Sequence, residues 1–312
     1  MAYRRAMIAI MVAASTALAG CETSDVLSLK ANAPIPEDVR SFMSANGMTK
    51  SSPIMVRIFK DEAVLEVWKQ KDTGRFALVK SYEVCAYSGK LGPKIREGDR
   101  QAPEGFYSIS KHLLNPKSSY HLAFNTGFPN RYDRANGRTG SNLMVHGSCS
   151  SAGCYSMTDE SIAEIYAFAR EALSGGKQDA FQVQAYPFRM TPENMAKHRN
   201  DKNFEFWSML KEGYDHFELT KIPPKVDVCG RRYVFNSLPE EGEFKATAEC
   251  PPMTMPTGLA TAYQSLQSKQ AVAFQQAVAA MEGGSAASAL QSKPASPLGN
   301  LFRGSSASAS TQ

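Results

Sequence analysis

Asn142-Leu143-Met144-Val145-His146-Gly147-Ser148-Cys149-Ser150-Ser151-Ala152-Gly153-Cys154-Tyr155-Ser156-Met157 is the stretch from which fold and chemistry are both read. Residues 142–146 predict a strand that ends on His146, a loop of small residues turns back, and Cys154 stands just ahead of a helix that Ser156 or Thr158 can cap. A thiol attacks only as thiolate, so an imidazole delivered beside it, helped by an adjacent helix N-terminus, suits nucleophilic chemistry. Gly153 lets a substrate approach the backbone closely. N–H groups around Gly153 and Cys154 can hold an oxyanion, with Ser148 and Ser151 as further near-site residues.

Other readings of these residues compete. A local Cys149–Cys154 disulfide is sterically open. A zinc site could use His146, Cys149 and Cys154, but structural zinc wants four ligands and the sequence offers no fourth nearby. Simple burial of the histidine and cysteine leaves the crowding of Gly and Ser between them without a reason.

Upstream, Ile54, Val56 and Ile58 alternate with residues expected to face outward; with residues 64–68 and 76–85 they predict an antiparallel meander separated by turns at 60–62 and 71–74. Residues 89–98 are glycine-rich and charged and predict a loop. Strands are expected over 106–109 and 121–124, and a long irregular loop over 125–140. Downstream, Ile162, Ile165, Tyr166, Ala169 and Leu173 recur at helical spacing until Ser174-Gly175-Gly176. A strand follows at 181–186, then a helical region opened by Thr191-Pro192 and running to about Gly213. Residues 217–219 and 233–235 are candidate final strands. The fold class is mainly β with flanking helices.

The ends differ from the middle. Arg4 and Arg5, the apolar run to Ala19 and the close at Leu18-Ala19-Gly20-Cys21 form an export signal, residues 1–20. Its end resembles the lipobox of bacterial lipoproteins, which implies a diacylglycerol on Cys21, cleavage before it, and membrane attachment through that lipid; an ordinary signal peptide or an uncleaved anchor are the other readings. Glu22 at the next position points to the outer membrane rather than the inner. Residues 21–52 read as a tether with a short helix at 37–45, and residues 258–312 as an Ala/Ser/Gln-rich tail, helical over 259–281 and otherwise disordered.

Six cysteines suit an exported protein. With Cys21 lipidated an odd number remains; Cys229 and Cys250 are expected to pair, and Cys85 to be a small buried apolar group. Net charge is +5, and +3 without the two signal arginines, with no basic stripe interleaved with aromatics, so nothing points to nucleic acid. His112, His198 and His216 are assigned to surface or packing.

Met144-Val145-His146-Gly147 with Ser151-Ala152-Gly153-Cys154-Tyr155-Ser156-Met157 resembles the signature of YkuD-type L,D-transpeptidase catalytic domains, and Pro103-Glu104-Gly105-Phe106-Tyr107 resembles an upstream element of that family. The resemblance covers residues 53–187, with 188–257 as an extension packed on them, and implies a β-sandwich-like catalytic domain. Ala152 stands where the family has histidine, and Ser156 where it has Asn or Arg. Residues 120–125, 128–134 and Gly137-Arg138-Thr139-Gly140 are similar to the YafK-like branch of lipoproteins related to murein L,D-transpeptidases.

The resemblance implies attack by Cys154 on the L-centre carbonyl of meso-diaminopimelate in a peptidoglycan stem peptide. His146 would be base then acid, oriented by the Gly147 carbonyl, and no cofactor is implied. An amine acceptor would complete transpeptidation; water would complete an amidase reaction, releasing a peptidoglycan-linked lipoprotein or outer-membrane protein. An inactive peptidoglycan-binding lipoprotein is the alternative of another class. Arg138, His121 and Tyr132 are the candidate substrate-binding residues.

Overall fold

The computed structural model describes residues 29–150 and 153–291. Its elements along the chain are α1 (Glu37–Ala45), β1 (Ile54–Phe59), β2 (Val64–Gln70), β3 (Phe76–Glu83), β4 (Ala86–Tyr87), β5 (Gly105–Ser110), β6 (Leu114–Asn115), β7 (Ala123–Asn125), α2 (Arg131–Ala135), β8 (Met144–His146), β9 (Tyr155–Ser156) and α3 (Asp159–Ser174). There follow β10 (Ala180–Tyr186), α4 (Pro192–Lys197), α5 (Phe204–Thr220), β11 (Val226–Cys229), β12 (Arg232–Phe235) and α6 (Thr257–Gln291). One mixed sheet has the order β3-β2-β1-β10-β5 and a second the order β4-β9-β8-β7-β6. They share a core: Ile54, Val56 and Ile58 of the first lie with Phe124, Val145 and Tyr155 of the second, and Phe124 meets Phe181 edge-on.

Helix α3 fills the junction, contacting β1 and β10 of one sheet and β7 and β8 of the other. Its Thr158 cap accepts from Ser161 N–H, and Ile162, Ile165, Phe168 and Ala169 are buried. That buried face has the helical spacing its sequence predicts.

The meander alternates differently from the expectation. Every residue of β1 is buried, because α5 and the C-terminal strands cover the face opposite α3; a strand covered on both faces does not need outward polar positions. Phe59 belongs to the second core with Trp207, Leu210 and Phe235. Arg57 is held there by Glu218 at 2.6 Å and by rings whose centroids lie 4.3 Å (Tyr214) and 4.9 Å (Phe217) from its guanidinium carbon.

Four other expectations are corrected. From Ala31 the segment read as tether joins the core, through Ile35, Val39, Met43 and Met48. The region opened by Thr191 breaks after Lys197 and resumes as α5, which passes Gly213 and runs to Thr220. Residues 217–219 are therefore helix, with Phe217 packed edge-on against Trp68. The C-terminal helix reaches Gln291, beyond the point where disorder is expected, and packs through Tyr263 on His216 and Phe274 on Phe204. Residues 1–28, which carry the signal and Cys21, lie outside the described residues, as do 292–312. Among the described residues no helix is long and apolar enough to cross a membrane.

Gly213 does not end its helix because it has another task. A Cβ there would stand 2.4 Å from Phe106 Cζ and 2.5 Å from Phe235 Cε1. Alanine at an ordinary helical site would stabilise by about 1 kcal/mol, whereas overpacking here costs about 1–3 kcal/mol. Gly213→Ala should therefore lower the urea midpoint; a raised midpoint would show that the contact is not tight.

Candidate active site

Strands β8 and β9 run parallel, with Val145 opposite Tyr155 and His146 opposite Ser156. In-register residues of a pair share a face, and faces alternate along each strand. Val145 and Tyr155 accordingly face the core, where both are buried, and Met144, His146 and Ser156 face away from it. Cys154, just before β9, continues the alternation opposite Met144. Met144 N–H donates to Cys154 Sγ at 3.4 Å and the thiol donates to Asn142 O at 3.8 Å. His146 is then one strand and two residues from Cys154, a Cα separation of about 8 Å that two side chains on one face can bridge.

The imidazole is buried. Its Nδ1 lies 2.6 Å from Gly147 O; a carbonyl only accepts, so Nδ1 carries the proton and Nε2 is the basic nitrogen. Gly147 N–H donates to Tyr120 O at 3.0 Å and Leu122 O at 3.2 Å. A side chain at Gly147 would collide with Asp159 Oδ1, 2.5 Å from the Cβ position. The Tyr120 ring, exposed on its other side, packs on the imidazole at 4.7 Å.

Burial is the largest influence on Cys154 and pushes the thiol above its ordinary value; the Met144 N–H and the Lys94 ammonium act the other way. The thiol form is thus favoured at rest.

The connection between the two strands is tied at its start. Ser148 and Cys149 have left-handed φ of 67° and 40°. Ser148 N–H donates to Asp159 Oδ1 at 2.8 Å, Cys149 N–H donates to Met157 O at 3.2 Å, and Cys149 is bonded to Cys85. Cys85 is exposed rather than buried. It stands just before β4, which pairs with β9 and so brings it to the loop. This bond replaces both the local Cys149–Cys154 bridge and the zinc set that needed the Cys149 thiolate. Cys154 stands outside both disulfides, the second joining Cys229 to Cys250. Gly153 has φ 120°, suited to glycine; Ser151 and Ala152 lie outside the described residues.

The upstream Pro103-Glu104-Gly105 element supports the site from below. Tyr155, next to the thiol, donates its hydroxyl proton to Pro103 O at 2.6 Å. Glu104 is buried, accepting from Lys60 Nζ at 3.0 Å, Gly92 N–H at 2.7 Å and Trp207 Nε1 at 2.9 Å. Ser156, at a position where the resembled family differs, donates to Ala86 O at 2.8 Å and fastens β9 to β4.

Two candidate substrate-binding residues are structural. Arg138 is buried, pairs with Asp133 at 3.0 Å, and lies over the rings of Tyr132 and Phe206 at 4.8 and 4.6 Å. Tyr132 stacks between Phe206 and Tyr233. Both are spent on joining the 130–138 loop to the second core, so neither presents itself to a ligand. His121 stays near the site at the His146 end: its Nδ1 is 3.7 Å from Asp159 Oδ2, in a left-handed backbone of φ 64°. Sequence reasoning passed over Tyr120, Asp159 as a loop latch, and Lys94, which reach the site only through tertiary placement.

The YkuD L,D-transpeptidase catalytic domain matches residues 54–175. YafK of Escherichia coli (strain K12), whose assignment as an L,D-transpeptidase is provisional, is 49% identical over 183 residues, 59% of this chain and 74% of that protein. Among solved structures, the helical cell shape determining protein Pgp2 of Campylobacter jejuni is 19% identical, with TM-score 0.35 over 61% of this chain and 79% of that one. Bd1075 of Bdellovibrio bacteriovorus is 20% identical, with TM-score 0.30 over 54% and 59%.

The Cys85–Cys149 bond closes a sequence separation of 64 residues, which corresponds to about 4 kcal/mol in chain-entropy terms. Replacing both cysteines by serine should cost a comparable amount in urea unfolding and lower the rate of Cys154 alkylation or acylation by loosening the loop. Unchanged stability and reactivity would mean that the bond does not constrain the site.

Proposed function

Since the chain belongs to the YkuD family of L,D-transpeptidase catalytic domains, we propose that it is a peptidoglycan-modifying cysteine enzyme using Cys154 as nucleophile. The observation that carries this is His146 locked through Nδ1 on Gly147 O, on the same strand face as the thiol. Nε2 takes the Cys154 proton as sulfur attacks the L-centre carbonyl of meso-diaminopimelate. The tetrahedral oxyanion is held by backbone N–H groups near Gly153 and Cys154, a role in which each donor contributes on the order of 3 kcal/mol. Collapse breaks the amide, and the leaving amine departs with the proton from His146, leaving a thioester on Cys154.

An amine acceptor then completes acyl transfer, its proton passing to His146; water in the same position completes hydrolysis. The glutamate after Cys21 and the leader before it support an exported lipoprotein facing the periplasm, attached to the outer membrane. Its partners are stem peptides and, in the hydrolytic case, a peptidoglycan-linked protein.

The reaction is tested by incubating the protein with a disaccharide-tetrapeptide and, separately, with a stem that carries a linked protein. Intact-mass analysis should show an acyl adduct on Cys154, lost in Cys154→Ala and formed at least about 100-fold more slowly in His146→Gln. Products with a new amide identify transfer, and shortened stems identify hydrolysis. Retained binding of the muropeptide with no adduct and no product would replace the enzyme by a peptidoglycan-binding protein.

A further inference from the structure

Lys94 is a buried lysine in the charged, glycine-rich loop at residues 89–98. Its Nζ donates to Asp99 Oδ1 at 2.6 Å and to Arg96 O at 3.1 Å. Asp99 also accepts from the N–H groups of Ile95, Arg96 and Gln101; burial works against its carboxylate, but these N–H groups and Lys94 outweigh it and hold the carboxyl down at about 2, so Asp99 is ionised throughout the useful pH range.

The methylene chain reaches its place through a slot over Gly140. A Cβ at Gly140 would stand 2.5 Å from Lys94 Cε and 3.0 Å from Phe128 Cε1. The slot is kept by Thr139, whose N–H donates to Ile95 O at 3.1 Å and whose Oγ1 accepts from Glu97 N–H at 3.1 Å. Lys94 and Cys154 therefore flank one short segment: the lysine lies against Gly140, and the sulfur is bonded at Asn142 O and Met144 N. The Gly137-Arg138-Thr139-Gly140 run serves this arrangement, with Arg138 anchoring the loop to Asp133 and Gly140 opening the passage.

We infer that Lys94 is a positioning residue of the reaction, a fixed cation whose field stabilises the negative charge that develops on Cys154 Sγ, with Asp99 holding it in place and offsetting part of its charge. The inference rests on Cys154 being the nucleophile. The lysine works where water is excluded, so its charge is felt more strongly than that of a surface lysine. Burial alone penalises the thiolate, and Lys94 is the side-chain cation that opposes this penalty. Among the described residues, Lys94 is the charged side chain that acts on the thiol, with Asp99 behind it; Glu97 meets Ser141 on the same segment, and His146 lies on β8.

The test is the pH dependence of Cys154 alkylation by iodoacetamide, read by intact mass without any peptidoglycan, on the folded parent and on variants checked by circular dichroism. Lys94→Met should move the midpoint up by about one pH unit, a tenfold loss of thiolate at a given pH below it. Lys94→Arg, which keeps the charge, should restore most of the shift. Asp99→Asn keeps the lysine and removes the opposing charge, so its midpoint should move down. An unmoved midpoint in Lys94→Met, an equal upward shift in Lys94→Arg, or no downward shift in Asp99→Asn would each overturn the inference. If Lys94→Met does not fold, the sign for Asp99→Asn decides. Because alkylation needs no substrate, these results stand apart from the acyl adduct, whose absence would sink the proposed enzyme but not the electrostatic pairing.

Discussion

Eight residues, 147–154, join two parallel neighbouring strands, where a parallel connection ordinarily takes a dozen or more. The rest of the site depends on that short return. It carries left-handed backbone at Ser148, Cys149 and Gly153, and its described residues are too small to close it by side-chain packing. Covalent and polar ties do that work instead: Cys149 to Cys85, Ser148 N–H to Asp159, Cys149 N–H to Met157 O. The register pairs His146 with Ser156, two residues beyond Cys154, so strand alternation turns His146 and Cys154 toward one face.

The return is only as rigid as the sheet beneath it. Tyr155 anchors the thiol strand to Pro103, and the next residue, Glu104, is fixed by Lys60 and Trp207. Since Trp207 belongs to α5, the C-terminal helices are connected to the thiol through a few strong hydrogen bonds. This gives the extension a purpose that the family match, ending at residue 175, does not describe.

Much was legible where the signal is local. The strand ending on His146, the Thr158 and Thr191 caps and the Cys229–Cys250 pair all follow from residues near one another in the chain. What failed was non-local. Arg138 reads as an exposed loop cation until Phe206 and Tyr132 are seen beneath it, and Cys85 reads as apolar filler until β4 brings it to Cys149. Gly213 reads as a helix end because glycine usually is one; only the two rings against it reveal close packing. The alternation in β1 reads as one-sided for the same reason, since a second covering layer cannot be inferred from one strand's pattern.

The central claim is that His146 presents a basic Nε2 to Cys154. Nitrogen-15 NMR of histidine-labelled protein, recorded before and after methylthiolation of Cys154, tests it most directly. The account predicts the Nδ1–H tautomer in both states and a change in the His146 Nε2 chemical shift when the thiol is blocked. An Nε2–H tautomer, with ring nitrogen shifts indifferent to the state of Cys154, would contradict it.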